Sequence, residues 1–124
     1  MFGAITLVAG GAAYAQPYPN KLIRLVTSGT GSGGDVVSRI VAHEMSPAVG
    51  QPIIVANRPS ALIGGEIVAK APPDGYTLYL QGSTLWVTPL LQKAPYDVFR
   101  DFAPITLVYT TPLVLVVHPS LPVT

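Results

Sequence analysis

Cysteine is missing from all 124 residues. That excludes a disulfide-stapled scaffold, thiol catalysis, thiolate metal sites and lipid attachment at an N-terminal cysteine. Charge is scarce as well: only 10% of residues are charged, and seven Lys and Arg against six Asp and Glu leave a net charge of +1. Lys21 and Arg24 form the tightest cationic pair, with no basic stripe elsewhere. Nucleic acid is therefore not the expected partner, because phosphate contacts need concentrated positive charge. The carboxylates Asp35, Glu44, Glu66, Asp74, Asp97 and Asp101 are scattered, and no His-Glu-x-x-His stretch occurs. No metal site and no catalytic constellation is expected. His43 falls in a helical pattern and His118 follows a late apolar run, so neither reads as an obvious base for Ser32.

What the chain does have is apolar residues (49%), 12 glycines and 13 prolines. The length suits one small domain. A fifth of the residues being Gly or Pro implies short elements joined by many turns. The first twenty residues carry no charged side chain. Phe2 to Gly10 is an apolar run, and Ala13-Tyr14-Ala15 follows with the small-x-small pattern of a signal-peptidase site. The expectation is a signal peptide over residues 1–15, with an incomplete basic start, and hence export. Pro17 and Pro19 leave the run too short for a membrane span.

Beyond it, apolar runs alternate with helical patterns. Leu22–Val26, Ile53–Ala56 and Thr77–Gln81 read as strands, as do Ile105–Tyr109 and Leu113–Val117. A helix is expected after Asp35 as N-cap, with Val37, Ile40, Val41, Met45 and Ala48 on its apolar face and Pro47 and Gly50 ending it. A second runs to about Ala71 with Ile63, Ile67 and Val68 inward, and a third, capped by Gly82-Ser83-Thr84, contains Trp86. Pro72-Pro73-Asp74-Gly75 marks a turn. The pattern predicts an α/β fold, a parallel-type sheet flanked by helices. In such sheets ligands sit at the carboxyl ends of strands, beside helix starts. The loops of interest are Thr27–Asp35, Asn57–Gly65 and Gly82–Leu85.

Gly29-Thr30-Gly31-Ser32-Gly33-Gly34 matches the dinucleotide fingerprint G-x-G-x-x-G, between a strand and a helix. The second strand, however, ends in Asn57-Arg58 rather than in an acidic residue for a ribose hydroxyl, and Asp35 adds negative charge at the helix start. A dinucleotide-binding enzyme domain stays as the alternative reading. The loop lacks the Gly-Lys-Ser/Thr ending of a P-loop, and Thr30 breaks the G-x-S-x-G of a nucleophile elbow. Two helix starts with Ser28, Thr30, Ser32, Ser83 and Thr84 nearby supply N–H groups and hydroxyls suited to a small carboxylate.

Several segments together resemble a known family. They are Tyr18-Pro19-Asn20-Lys21-Leu22-Ile23-Arg24-Leu25-Val26, Gly33-Gly34-Asp35 with Arg39, Val49 to Pro59, Val68 to Leu78, Pro95-Tyr96-Asp97, Asp101 to Ile105 and Val116 to Val123. The chain is similar to the Bug family, the TctC-like periplasmic receptors of tripartite tricarboxylate transporters. The resemblance implies the first lobe of a two-lobed, Venus-flytrap periplasmic-binding architecture, truncated here. It implies a lobe over residues 16–118 and the start of a linker to a second lobe over 119–124. The implied protein is a non-enzymatic, monomeric receptor without cofactor or metal. It captures a small carboxylate in the periplasm and delivers it to membrane permease subunits. Carried over by position, the ligand-holding loops fall on Ser28, Gly29, Thr30, Gly31, Ser32, Gly33, Gly34 and Asp35, and on Ser83 and Thr84. Within them Asp35 reads as a cap with Arg39 as its i,i+4 partner. Thr27-Ser28, where many members have Pro and an aromatic residue, and the shortened Ser60–Gly64 segment leave the ligand's identity open. A remnant that does not bind is the third reading.

Overall fold

The computed structural model describes residues 17–112, 114–118 and 120. The signal-peptide reading over residues 1–15 therefore lies outside the described residues, as does most of the linker at 119–124. Strands and helices alternate: β1 (Ile23–Thr27), α1 (Gly33–Val49), β2 (Ile53–Asn57), α2 (Ala61–Ala69), β3 (Thr77–Leu80) and α3 (Thr84–Leu91). The strands form one parallel sheet in the order β2-β1-β3. Parallel neighbours need crossovers, which α1 and α2 provide. The α/β architecture with a helix-flanked parallel sheet is thus the one the pattern predicts.

β1 is central, and its apolar run is buried as a middle strand requires. Ile23 and Leu25 pack with Ala42 of α1, Ile53 of β2 and Leu80 of β3 in one core cluster, while Val26 is fully buried. Among the described residues no helix is long and apolar enough to cross a membrane.

α1 departs from its expected form in three ways. Its N-cap is Ser32, whose hydroxyl accepts from the Asp35 N–H, so Asp35 sits inside the first turn. Pro47 lies within the helix, which continues to Val49 and stops at Gly50, in the left-handed conformation at φ 69°. Ser46 Oγ donates to the Ala42 carbonyl and accepts from the Ile53 N–H, tying the last turn to β2. The buried stripe is also rotated. Asp35, Ser38 and Ala42 face inward beside half-buried Val37, Val41 and Val49, whereas Ile40, Met45 and Ala48 are exposed. Asp35 is buried because donors meet it there, which hydropathy alone does not register, whereas the Ser38 hydroxyl is buried with no protein partner.

α2 buries Gly64 and Gly65 under the rings of Tyr79 and Tyr96, leaving Ile63 exposed, and ends at Ala69. The turn before β3 forms as expected. Gly75 adopts φ 80°, and Tyr18 donates its hydroxyl to the Gly75 carbonyl. Lys21 pairs with Asp74 at 3.1 Å and lies 4.2 Å above the Tyr76 ring, so residues 18–21 are strapped to this turn.

The two late strands expected at Ile105–Tyr109 and Leu113–Val117 are not formed. Residues 102–112 and 114–118 carry no regular structure, and Leu113 lies outside the described residues. Ile105, Leu107, Val114 and Leu115 are all exposed, with Leu115 at 90%. A β-branched run becomes a strand only where a neighbour takes its N–H and C=O groups. Among the described residues the sheet ends at β2 and β3.

Candidate functional site

All three strands are parallel, so Thr27, Asn57 and Leu80 end on one edge of the sheet. The loops 28–32, 58–60 and 81–83 gather there, which is where the sequence placed them. Thr27 donates its hydroxyl to the Leu80 carbonyl at 3.1 Å, stitching β1 to β3 at this edge.

On the β2 side a polar network surrounds Asp35, whose side chain is buried. Oδ2 accepts from the Gly31 N–H at 2.9 Å. Oδ1 accepts from Asn57 Nδ2 at 2.8 Å and from Arg39 Nε at 3.0 Å. Asn57 Nδ2 also donates to the Ser28 carbonyl, and Asn57 Oδ1 accepts from Arg39. The Gly31 N–H and, next, the Asn57 amide hold the Asp35 carboxyl below the usual carboxylate range, with Arg39 adding to them against the opposing effect of burial. The expected Asp35–Arg39 pair is therefore present, but Asp35 anchors the loop instead of capping the helix.

Gly31 takes φ 82°, a conformation costly for any side chain with a β-carbon. At Gly34 a β-carbon would stand 2.6 Å from Ser28 Oγ and 3.3 Å from Thr27 Oγ1, so the loop closes on the helix start only because that residue is glycine. Gly29 passes the Pro59 backbone at 3.9 Å from a would-be β-carbon.

The helix start offers specific donors. The N–H groups of Gly33 and Gly34 have no intrahelical acceptor, while Asp35 N–H is taken by the Ser32 hydroxyl. Ser28 Oγ and Ser32 Oγ lie 2.7 Å apart, so one hydroxyl hydrogen is shared between them and the other is left over. The Gly31 N–H is committed to Asp35. Thr30 and Gly33 are exposed on the loop surface.

Ser83 and Thr84 share the edge, on the β3 side of β1. The Ser83 hydroxyl makes no capping bond, and Thr84 Oγ1 is met by Gln81 Nε2 at 2.5 Å. Gln81 Oε1 is buried without a protein partner. Asn57 and Gln81 thus join the candidate site: the sequence placed Asn57 at the head of a loop of interest without giving it a role, and it left Gln81 out. For Asn57 one signal existed: an amide ending an apolar strand is out of place by strand propensity. Among the described residues, no group of three His, Asp or Glu side chains gathers to hold a metal.

An open parallel sheet with a tight glycine turn at a helix start defines a class of α/β folds that bind ligands along this edge. The family is narrower. The model of TctC, the tripartite tricarboxylate transporter family receptor, matches residues 37–124, and the chain belongs to that family. It is 45% identical to a UPF0065 protein of Bordetella bronchiseptica, over 86% of this chain and 33% of that protein. It is 36% identical to Protein BugT of Bordetella pertussis, over 98% of this chain and 40% of that one. The chain thus spans 33% to 40% of the length of these relatives. Among solved structures, periplasmic binding protein BugD is 34% identical, with a TM-score of 0.45 over 50% of this chain and 22% of that one. R. palustris Rpa4515 with adipate is 31% identical, with a TM-score of 0.46 over 51% of this chain and 22% of that one.

Proposed function

We propose that this chain is the first lobe of a periplasmic solute-binding receptor that captures a small carboxylate and passes it to the permease subunits of a tripartite tricarboxylate transporter. The lobe spans residues 16–118, preceded by an export signal over 1–15 and followed by the start of a linker. The observation that carries the reading is the α1 start. There the Gly33 and Gly34 N–H groups, the spare hydroxyl hydrogen of the Ser28–Ser32 pair and the positive end of the helix dipole lie together, while the cation beside them, Arg39, is already paired with Asp35. Such a donor set holds a small anion through backbone N–H groups and hydroxyls, and membership of the tricarboxylate-receptor family favours a carboxylate among the anions that fit. Asp35 does not repel it strongly, since Arg39 and two N–H groups already occupy that carboxylate. Ser83 and Thr84 supply further donors at the α3 start. Membership of the receptor family supports transport rather than catalysis.

The test is thermal unfolding of the chain with and without adipate, other dicarboxylates, tricarboxylates, aromatic acids and NAD(P). A ligand at about 100 times its dissociation constant adds about 2.7 kcal/mol of stability. A rise in melting temperature with a carboxylate and none with NAD(P) is expected. A rise with NAD(P) alone would return the glycine loop to dinucleotide binding.

A further inference from the structure

We infer that Asn57 is the positioning residue of this site: it touches no ligand, and it sets the shape of the β1–α1 loop by holding Asp35. The inference rests on the reading of this edge as the ligand site. Asn57 closes β2 opposite Thr27, the last residue of β1. Nδ2 donates to the Ser28 carbonyl at 2.9 Å and to Asp35 Oδ1 at 2.8 Å, while Oδ1 accepts from Arg39 at 3.1 Å. Both amide hydrogens are spent inside the protein, so none remains for a ligand. Asp35 then reaches Gly31 with its other oxygen and fixes the positive-φ turn that carries Ser32 to the helix start. Without Asn57, Oδ1 keeps only the side chain of Arg39, which is 56% exposed and screened by water.

The chemistry requires an amide. The position must donate to a carbonyl and a carboxylate and accept from a guanidinium within one short side chain. Aspartate has the same shape but no hydrogen to donate at neutral pH. It would place a second carboxylate against Asp35, with Arg39 as the charged group bonded to both side chains, while Arg58 donates to the Asn57 main-chain carbonyl at 2.8 Å.

The experiment follows amide hydrogen exchange by NMR in the wild-type chain, Asn57→Ala and Asn57→Asp, with adipate titration by calorimetry beside it. In both variants the Gly31 amide should exchange about tenfold faster or more, while Leu25 and Val26 in β1 stay protected. In Asn57→Asp that protection should return towards about pH 5, because facing carboxylates share a proton and so regain a donor. Where the wild type binds adipate, both variants should bind about tenfold more weakly, the lower end of what loss of an outer-shell partner costs at metal sites. Wild-type-like Gly31 protection in Asn57→Asp would reduce Asn57 to space filling and overturn the inference. So would unchanged adipate affinity with a loosened loop, or loss of β1 protection in both variants. If the wild type does not bind adipate or any other carboxylate, the proposed function falls, and the Gly31 amide still decides whether Asn57 holds the loop.

Discussion

The Tyr96 ring packs directly against Gly65: a β-carbon on that glycine would stand 2.5 Å from Cε1 and 2.9 Å from Cδ1. Tyr96 is buried, meets Phe102 edge-on at 5.6 Å between ring centres, and directs its hydroxyl at the Leu85 carbonyl. One glycine in α2 therefore lets the segment after α3 fold back onto the helix.

Gly65→Ala should cost about 1 kcal/mol net despite the better helix propensity of alanine, because overpacking a fixed ring costs about 1–3 kcal/mol and the propensity gain is about 1. Urea unfolding of the variant measures it. Equal or greater stability would mean that Tyr96 swings away freely.

Gly33 and Gly34 are neighbours in the first turn of α1, and alanine should act on them with opposite signs. No atom lies within 4 Å of a β-carbon at Gly33, so Gly33→Ala should add up to about 1 kcal/mol by restricting the unfolded chain. Gly34→Ala meets Ser28 Oγ at 2.6 Å and should lose about 1 kcal/mol net, with weakened carboxylate binding. Comparing both variants by thermal unfolding with and without adipate checks the pair.

Acid should destabilise the fold through three carboxylates. The Gly31 N–H and Asn57 lower the Asp35 pKa, the Tyr76 N–H and Lys21 lower that of Asp74, and Arg100 and the Asp97 N–H lower that of Asp101. A carboxylate with a lowered folded-state pKa contributes stability above its unfolded value, near pH 3.8 here, that is lost as pH falls through the folded value. Urea midpoints should hold steady from neutral pH to about pH 5 and fall below about pH 4. Asp35→Asn should flatten that fall; an unaltered acid limb would show that Asp35 is not engaged in the folded chain.

Tyr79 governs the alkaline side. Its hydroxyl donates to the Ala61 carbonyl at 2.9 Å, and burial, with Tyr96 nearby, pushes its pKa up to about 12. A raised tyrosine pKa means stability that is full below about pH 10 and lost as pH rises towards the folded value. An ultraviolet titration should show a tyrosine that ionises late, towards the folded value of about 12. Tyr79→Phe should remove that late step and cost about 1 kcal/mol for the lost bond.

The strands β1, β2 and β3 were legible to within a residue at each end, because an apolar β-branched run between Gly and Pro signals has few alternatives. The glycine loop at the carboxyl edge was equally legible, as were the turn at Gly75 and the Asp35–Arg39 pair. The face of α1 was legible only in part. Val37 and Val41 pack against the core as expected, but Ile40, Met45 and Ala48 are exposed and the helix is rotated to bury Asp35 and Ser38. Asn57 stood at the head of a loop of interest, but its role was not legible because its partners Ser28, Asp35 and Arg39 lie 18 to 29 positions away in the chain.

By itself the sequence determined the order of elements, the parallel character of the sheet and the place of the loops. These follow from local patterns of apolar spacing, capping and chain-breaking residues, together with the short connections that force parallel strands through helices. The tertiary structure decided which polar groups are buried, which glycines lie under aromatic rings, and that residues 105–109 form no strand. Those outcomes depend on long-range partners: a buried carboxylate needs donors, a ring needs a face without a β-carbon, and a strand needs a neighbour to take its hydrogen bonds.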